Sequence, residues 1–398
     1  MTQKKSIISR EDVKQALQQD NDFLRPLIER IVQEVLEVEM DQSLQAGKSE
    51  RTTARLGYRS GYYGRGLVTR IGPLELRVPQ DRQGHFRTEV FERYQRSEKA
   101  LVAALAEMYV QGVSTRKVKA STEELCGYEF SADAISRINL KLDAELQQWA
   151  ERKLDEEYPY VILDARYEKV REDGVIRSRA VLVALGINWE GRRRVLAVEL
   201  ANRESATSWR DFLLKLKTRG LTGVLLAMTD DHAGLKHAIA EVLPAAAWQR
   251  CYVHFLRNAL DYLPRKADDD CLTELRWLYD RRDREEARAD LAKWLERWQG
   301  RYAKLCAWVE VNIEETWTFY RFPREHHKHL KSTNLLERLN EELKRRTHVI
   351  RIFPNEPSCL RLVRALAVEQ HEEWLEGARY LDMEPLRVQR KEKLALAA

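Results

Sequence analysis

Along the first 155 residues the apolar positions recur at helical spacing, interrupted once by a stretch that alternates. From 10 to 45, Ser9 precedes an acidic first turn, and Phe23, Leu27, Ile31, Val35 and Val38 follow at intervals of three and four. That pattern predicts one or two amphipathic helices whose apolar face packs on its own domain or on a second copy. Leu67–Ile71 and Leu74–Val78 alternate instead, and Gly72-Pro73 between them predicts a hairpin turn. From 97 to 154 helical periodicity returns in three pieces, Ala100–Val110, Ser114–Leu125 and a longer one capped by Ser131. Gly112 and Cys126-Gly127-Tyr128 separate them. Short helices punctuated in this way fit a helix-turn-helix outline, or equally a plain three-helix unit.

The pattern then changes to buried strands. Tyr160-Val161-Ile162-Leu163 is an apolar run ending in Asp164, and Asp173-Gly174 marks a turn. Ala180–Ile187 and Val195–Leu200 are two more runs, divided by Glu190-Gly191. A helix over 205–216, a strand over 224–228 ending at Thr229-Asp230, a helix over 233–243 and a short strand over 248–253 complete the series. This β-β-β-α-β-α-β order is that of the ribonuclease H-like α/β fold, in which the first strand is central and lies beside the fourth. Residues 255–319 carry no strand signal and are rich in Arg, Glu and Trp. They read as an all-helical insertion with Trp277, Trp294, Trp298, Trp308 and Trp317 in its core. A further helix opens at Ser332.

The expected organisation is therefore a helical region over 1–50, an arginine-rich hairpin region over 51–96, and a helix-turn-helix-like domain over 97–155. The first part of an α/β catalytic domain covers 156–254, the helical insertion 255–330, and the remainder of the catalytic domain with C-terminal helices 331–398. A chain of 398 residues has ample length for several such units.

Charge sharpens this picture locally. Lys and Arg exceed Asp and Glu by only 5 overall, yet residues 51–99 hold eleven basic against five acidic side chains, interleaved with tyrosines. Such a stretch suits phosphate contact, with a solvated surface as the alternative. The five cysteines are scattered and odd in number, which predicts free thiols in a reducing compartment. With no apolar run near the ~18 residues that span a bilayer, the expectation is a cytoplasmic protein without a membrane partner.

The chemistry-bearing positions follow from the strand ends. Open α/β sheets place their chemistry at the carboxyl ends of strands, and here two strands end in Asp164 and Asp230. A third acid can come from the helix after Ser332-Thr333-Asn334, where Glu337 and Glu341 share a face. The same residues also read blandly: Asn334 and Glu337 have capping-box spacing, and Glu341 with Arg345 is an ordinary surface pair. Three converging carboxylates require cations, and paired Mg²⁺ ions, or Mn²⁺, would serve for displacement at phosphorus. Cys251 and His254 are half of a zinc site with no second half in view, and read instead as supports of the sheet from its last strand. Asp231 and His232, directly after Asp230, are further supporting candidates, with a buried, satisfied His as the alternative.

Four blocks together resemble the Mutator-type bacterial insertion-sequence transposases. They are Leu163-Asp164-Ala165 with Tyr167-x-Lys169-Val170-Arg171; Thr229-Asp230-Asp231-His232-Ala233-Gly234-Leu235; Gln249-Arg250-Cys251-Tyr252-Val253-His254; and Thr333-Asn334-x-x-Glu337-Arg338-x-Asn340. The resemblance implies that Asp164, Asp230 and Glu337 are a metal-holding DDE triad, with Arg338 and Asn340 beside it. It also implies DNA transposition by a homodimer that binds terminal inverted repeats of double-stranded DNA. Candidate DNA contacts are Arg59, Arg65, Arg70 and Arg77 in the hairpin region, Arg116, Lys117, Ser131, Ser136 and Arg137 in the helical pieces, and Lys169 and Arg171 beyond Asp164. A nuclease without strand transfer, or an inactive DNA-binding regulator derived from a transposase, are the competing readings. Asp231 departs from the small residue usual in similar enzymes.

Overall fold

The computed structural model describes residues 24–91, 95, 97–110, 115–126, 128, 130–131, 142–264, 270–348 and 350–397. The chain divides between Lys141 and Leu142 into two compact units.

In the first unit, helix α1 (Leu24–Leu44) lies on a two-stranded ribbon, β1 (Arg59–Thr69) and β2 (Gly72–Asp81). Two helices follow, α2 (Lys99–Val110) and α3 (Thr115–Cys126). The hairpin turn falls two residues earlier than Gly72-Pro73 suggests: Thr69 pairs with Gly72, so Arg70 and Ile71 make the turn. Strand alternation puts Leu67, Leu74, Leu76 and Val78 on one face, where they meet Leu36, Phe91, Ile28 and Val32. The helix thus buries Leu36 and packs the half-buried Ile28 and Val32 against the ribbon, while the neighbouring stripe Ile31, Val35 and Val38 is exposed. Both stripes are apolar, so periodicity alone could not choose between them.

The second unit opens with α4 (Leu142–Glu151), expected in the preceding helical domain but packed here on the long helix α13 (Glu356–Glu376). Arg361 on α13 grips Asp143 of α4 with two bonds of 2.6 and 2.9 Å. The sheet comprises β3 (Tyr160–Glu172), β4 (Val175–Ile187), β5 (Arg193–Ala201), β6 (Leu226–Thr229) and β7 (Ala247–Arg250), in the order β5-β4-β3-β6-β7. The first three are antiparallel neighbours, and β6 and β7 run parallel to β3. Helices α5 (Ala206–Thr218) and α6 (Ala233–Val242) cover one face through Trp209, Leu213, Leu235 and Ile239, packed on Val161, Leu163, Leu182 and Ala227. Against the other face lie α12 (Asn334–Thr347) and α13.

The helical block runs through α7 (Tyr252–Ala259), α8 (Asp270–Trp277), α9 (Arg284–Trp298), α10 (Ala303–Asn312), several 3-10 turns and α11 (His327–Leu330), and the chain ends with α14 (Glu384–Ala397). It leaves and rejoins the sheet at one point, where the Tyr252 amide donates to the Lys331 carbonyl (3.0 Å). Trp294, Trp298 and Trp317 are buried in it as expected, whereas Trp277 is exposed. The last strand ends at Arg250, not Val253. Cys251 already occupies the N-cap position of α7, so His254 is a helical residue.

Candidate active site

Register explains why two acids meet. Tyr160 pairs with Leu226 and Ile162 with Met228 in the parallel β3–β6 ladder. Two residues further along both strands stand Asp164 and Asp230, level with each other and, by alternation, on the same face. That face belongs to α12, and Glu337 comes from its first turn. Thr333, not Asn334, occupies the N-cap position and makes no side-chain cap bond, so Glu337 is not spent on a capping box. Glu341 is exposed, and Arg345 pairs with Glu342 instead of with it.

His254 joins two of the three carboxylates. Its Nδ1 lies 3.7 Å from Asp230 Oδ1 and its Nε2 3.6 Å from Glu337 Oε1. Asn340, one turn after Glu337, donates from Nδ2 to Asp164 Oδ2 at 2.8 Å, while the Ala165 amide donates to Oδ1 at 2.8 Å. The Asp231 amide likewise donates to Asp230 Oδ1 at 2.6 Å. Glu337 Oε1, buried, has no hydrogen-bond donor among the described residues.

Electrostatics follow the geometry. Burial pushes the Asp164 carboxyl up to about 6, against the Ala165 amide and His254, with Asp230 and Glu204 adding to the rise. His254 is raised to about 9, first by its interaction with the Cys251 sulfur and then, against burial, by Cys251, Asp230 and Asp164. Burial works to raise the Cys251 thiol, but His254 first and then Thr333 bring it below its ordinary value. An imidazolium set among carboxylates, with one carboxylate oxygen lacking a donor, is an arrangement short of positive charge.

Two donor sets could take a metal. Cys251, His254 and Glu337 offer atoms within 4.8 Å of one another, a zinc-like combination. The Cys251 sulfur, however, is fully buried and accepts from the Thr333 amide at 3.4 Å, which fastens the start of α12 to the end of β7. The carboxylates Asp164, Asp230 and Glu337 are oxygen donors on the same face, suited to a hard divalent cation. The undonated Glu337 oxygen and the desolvated Asp164 both fit such an ion.

The supporting candidates scatter. His232 is the N-cap of α6, its Nδ1 accepting from the Leu235 amide at 3.2 Å and lying 3.6 Å from Glu204. Arg338 is exposed, on the side of Arg193 and Tyr380, away from the triad. Asp231 points to Arg250. Two contributors were not singled out from the sequence. Glu204 sits in a loop with no periodic signal. Arg166 bonds the Asn340 carbonyl (2.8 Å) and pairs with Glu168 (2.5 Å), bracing α12 against β3.

The arginines of the ribbon do not line one side. Arg59 is paired with Glu37 and Asp41, Arg70 with Glu98, and Arg65 stacks 4.0 Å from the Phe91 ring on the core face. Arg77 is exposed on the opposite face, 5.1 Å from the Tyr62 ring. Lys117 and Ser131 are exposed, the Arg116 side chain is not described, and Ser136 and Arg137 lie outside the described residues. Lys169 and Arg171 are exposed on the face of β3 opposite Asp164. Cys251, Cys271, Cys306 and Cys359 are buried, free thiols. Among the described residues no helix is long and apolar enough to cross a membrane.

Residues 1–377 match the family described as transposase, Mutator family. The chain is 67% identical to the transposase for insertion sequence element ISRM5 of Rhizobium meliloti, over 97% of both chains. It is 45% identical to the IS406 transposase of Burkholderia multivorans, over 89% of this chain and 92% of that one. With the IS256 transposase in transposon Tn4001 of Staphylococcus aureus the identity is 38%, over 95% and 98%.

Proposed function

Since this chain belongs to the Mutator family of transposases, we propose that it moves an insertion sequence by cutting and joining double-stranded DNA at a DDE site. The observation that carries this is that Asp230 and Glu337 flank His254, while Asn340, one turn after Glu337 on the same helix, bonds Asp164. Strand order and register, with the first strand central and the fourth beside it, support a ribonuclease H-like fold for the catalytic unit.

In this reading Asp164, Asp230 and Glu337 would together hold the divalent cations. A pair of Mg²⁺ ions, or Mn²⁺ in their place, would supply activation of the attacking oxygen and charge relief for the leaving one. The chain's own work is positioning. Asn340 and the Ala165 amide fix the rotamer of Asp164, the Asp231 amide fixes Asp230, and the Cys251–Thr333 bond sets where α12 begins. His254 keeps Asp230 and Glu337 from repelling each other. Hydrolysis at the element's end frees a 3′-hydroxyl, and that hydroxyl then attacks a phosphodiester phosphorus of target DNA, forming a new P–O bond while the target strand's 3′-oxygen leaves as a hydroxyl. Two ends are held together by a homodimer, and the first unit reads the terminal inverted repeats through exposed basic side chains such as Arg77.

The test is incubation of the full chain with Mg²⁺ and DNA bearing the element's flanking ends. Wild type should cut and join, and Asp164→Asn should do neither while binding DNA normally. Equal cleavage by the variant would remove the assignment, and cleavage without joining would make the protein a nuclease.

A further inference from the structure

Arg250 is the last residue of β7, and its side chain is 1% exposed. A guanidinium buried this deeply needs partners, or its desolvation penalises the fold. The partners present are specific. Arg250 Nη2 lies 2.8 Å from Asp231 Oδ2, and Nη1 is 3.8 Å from Glu315 Oε2 in the helical block. The Phe255 and Trp308 rings flank it at 5.4 and 5.6 Å. The Asn258 amide, in the orientation that satisfies both its ends, accepts from Arg250 Nη2 (3.1 Å) and donates to the His254 carbonyl (3.2 Å). Glu315 in turn pairs with Lys236 of α6.

We propose that Arg250 is a positioning residue: it clamps the Asp231 side chain so that the Asp231 amide holds the Asp230 carboxylate toward the metal site. The clamp acts from the face of the sheet opposite Asp230, because Arg250 pairs in register with Thr229. Its force reaches Asp230 through one peptide unit, by the 2.6 Å bond from the Asp231 amide to Asp230 Oδ1. Glu315, Trp308 and Phe255 all belong to the helical block, so the block fixes the guanidinium and thereby takes part in setting the site. Asp231 is in this account the anchor of the clamp and not a ligand. The inference rests on the reading of Asp230 as a metal-holding carboxylate.

The test is Mn²⁺ affinity of the full chain, titrated by electron paramagnetic resonance, with circular dichroism to establish folding. Arg250→Gln and Asp231→Ala should each weaken Mn²⁺ binding about tenfold or more, the usual effect of losing a partner that orients a ligand. Asp231→Asn, which keeps an acceptor for Arg250, should lose less than Asp231→Ala. If Asp231 is itself a ligand, Arg250→Gln releases it and binding stays equal or tightens, which overturns the proposal. Should Arg250→Gln fail to fold, the two Asp231 variants decide: equal losses in both, or no loss in either, overturn it. Asp230→Asn separates the two levels. If that variant binds Mn²⁺ like wild type, the reading of Asp230 fails and the clamp with it; if it alone loses binding, only the clamp fails.

Discussion

Asn340 holds Asp164 with a single amide bond, donated from Nδ2 to Oδ2 at 2.8 Å. Asn340→Ala should therefore leave DNA binding unchanged and slow cleavage about 10- to 100-fold, as loss of a ligand-orienting partner does elsewhere. A gel-shift assay and a cleavage time course on the same DNA separate the two effects. His371 makes a different kind of prediction. Burial depresses it to about 4 from an ordinary 6.5, and its Nδ1 accepts from the Val195 amide at 3.2 Å. A pKa lowered on folding means that the unfolded chain binds the proton first. The stabilisation is complete above pH 6.5 and drains away as pH falls toward 4. Urea midpoints measured across that window should fall more steeply for wild type than for His371→Gln, which keeps an acceptor but cannot charge.

At the scale of elements, close packing sets the sharpest constraint where α6 begins. A Cβ on Gly234 would stand 2.6 Å from the Ala206 nitrogen at the start of α5, a backbone atom with nowhere to move. Gly234→Ala should cost about 1–3 kcal/mol of stability, the usual range for overpacking, and is measured by urea denaturation. Most elements were legible in the sequence because their patterns are unambiguous: β3 is an apolar run closed by an acid, and Asp173-Gly174 makes the left-handed turn into β4 with φ of 48° and 80°. Legibility failed where two structures share one pattern. The run Trp248 to Val253 reads as a strand, yet it bends into a helix after Arg250, and short apolar runs do not distinguish the two. The same holds for α1, whose two apolar stripes made the buried one unpredictable. Asp164, Asp230 and Glu337 stood out as candidate acids along the chain, but the position of His254 between Asp230 and Glu337 did not, because it depends on that misread bend.

For the whole molecule, the proposed function assigns DNA contact to the first of the two units, while the carboxylate site lies in the second. Arg77→Ala, on the exposed face of the ribbon, should weaken binding to any DNA sequence about equally and lower the salt slope by about 1, read from affinities over a range of KCl. Ribbon composition announced a basic surface without saying which arginines are free for it, since ion pairs to α1 are invisible along the chain. One last consequence comes from the meeting of Tyr252 and Lys331. Because that detour closes on itself within a single hydrogen bond, its length is decoupled from the spacing of the jaws it interrupts. Evolution can lengthen or trim the loop's far side freely, provided that the few residues gripping Gln249 and Arg250 stay where they are.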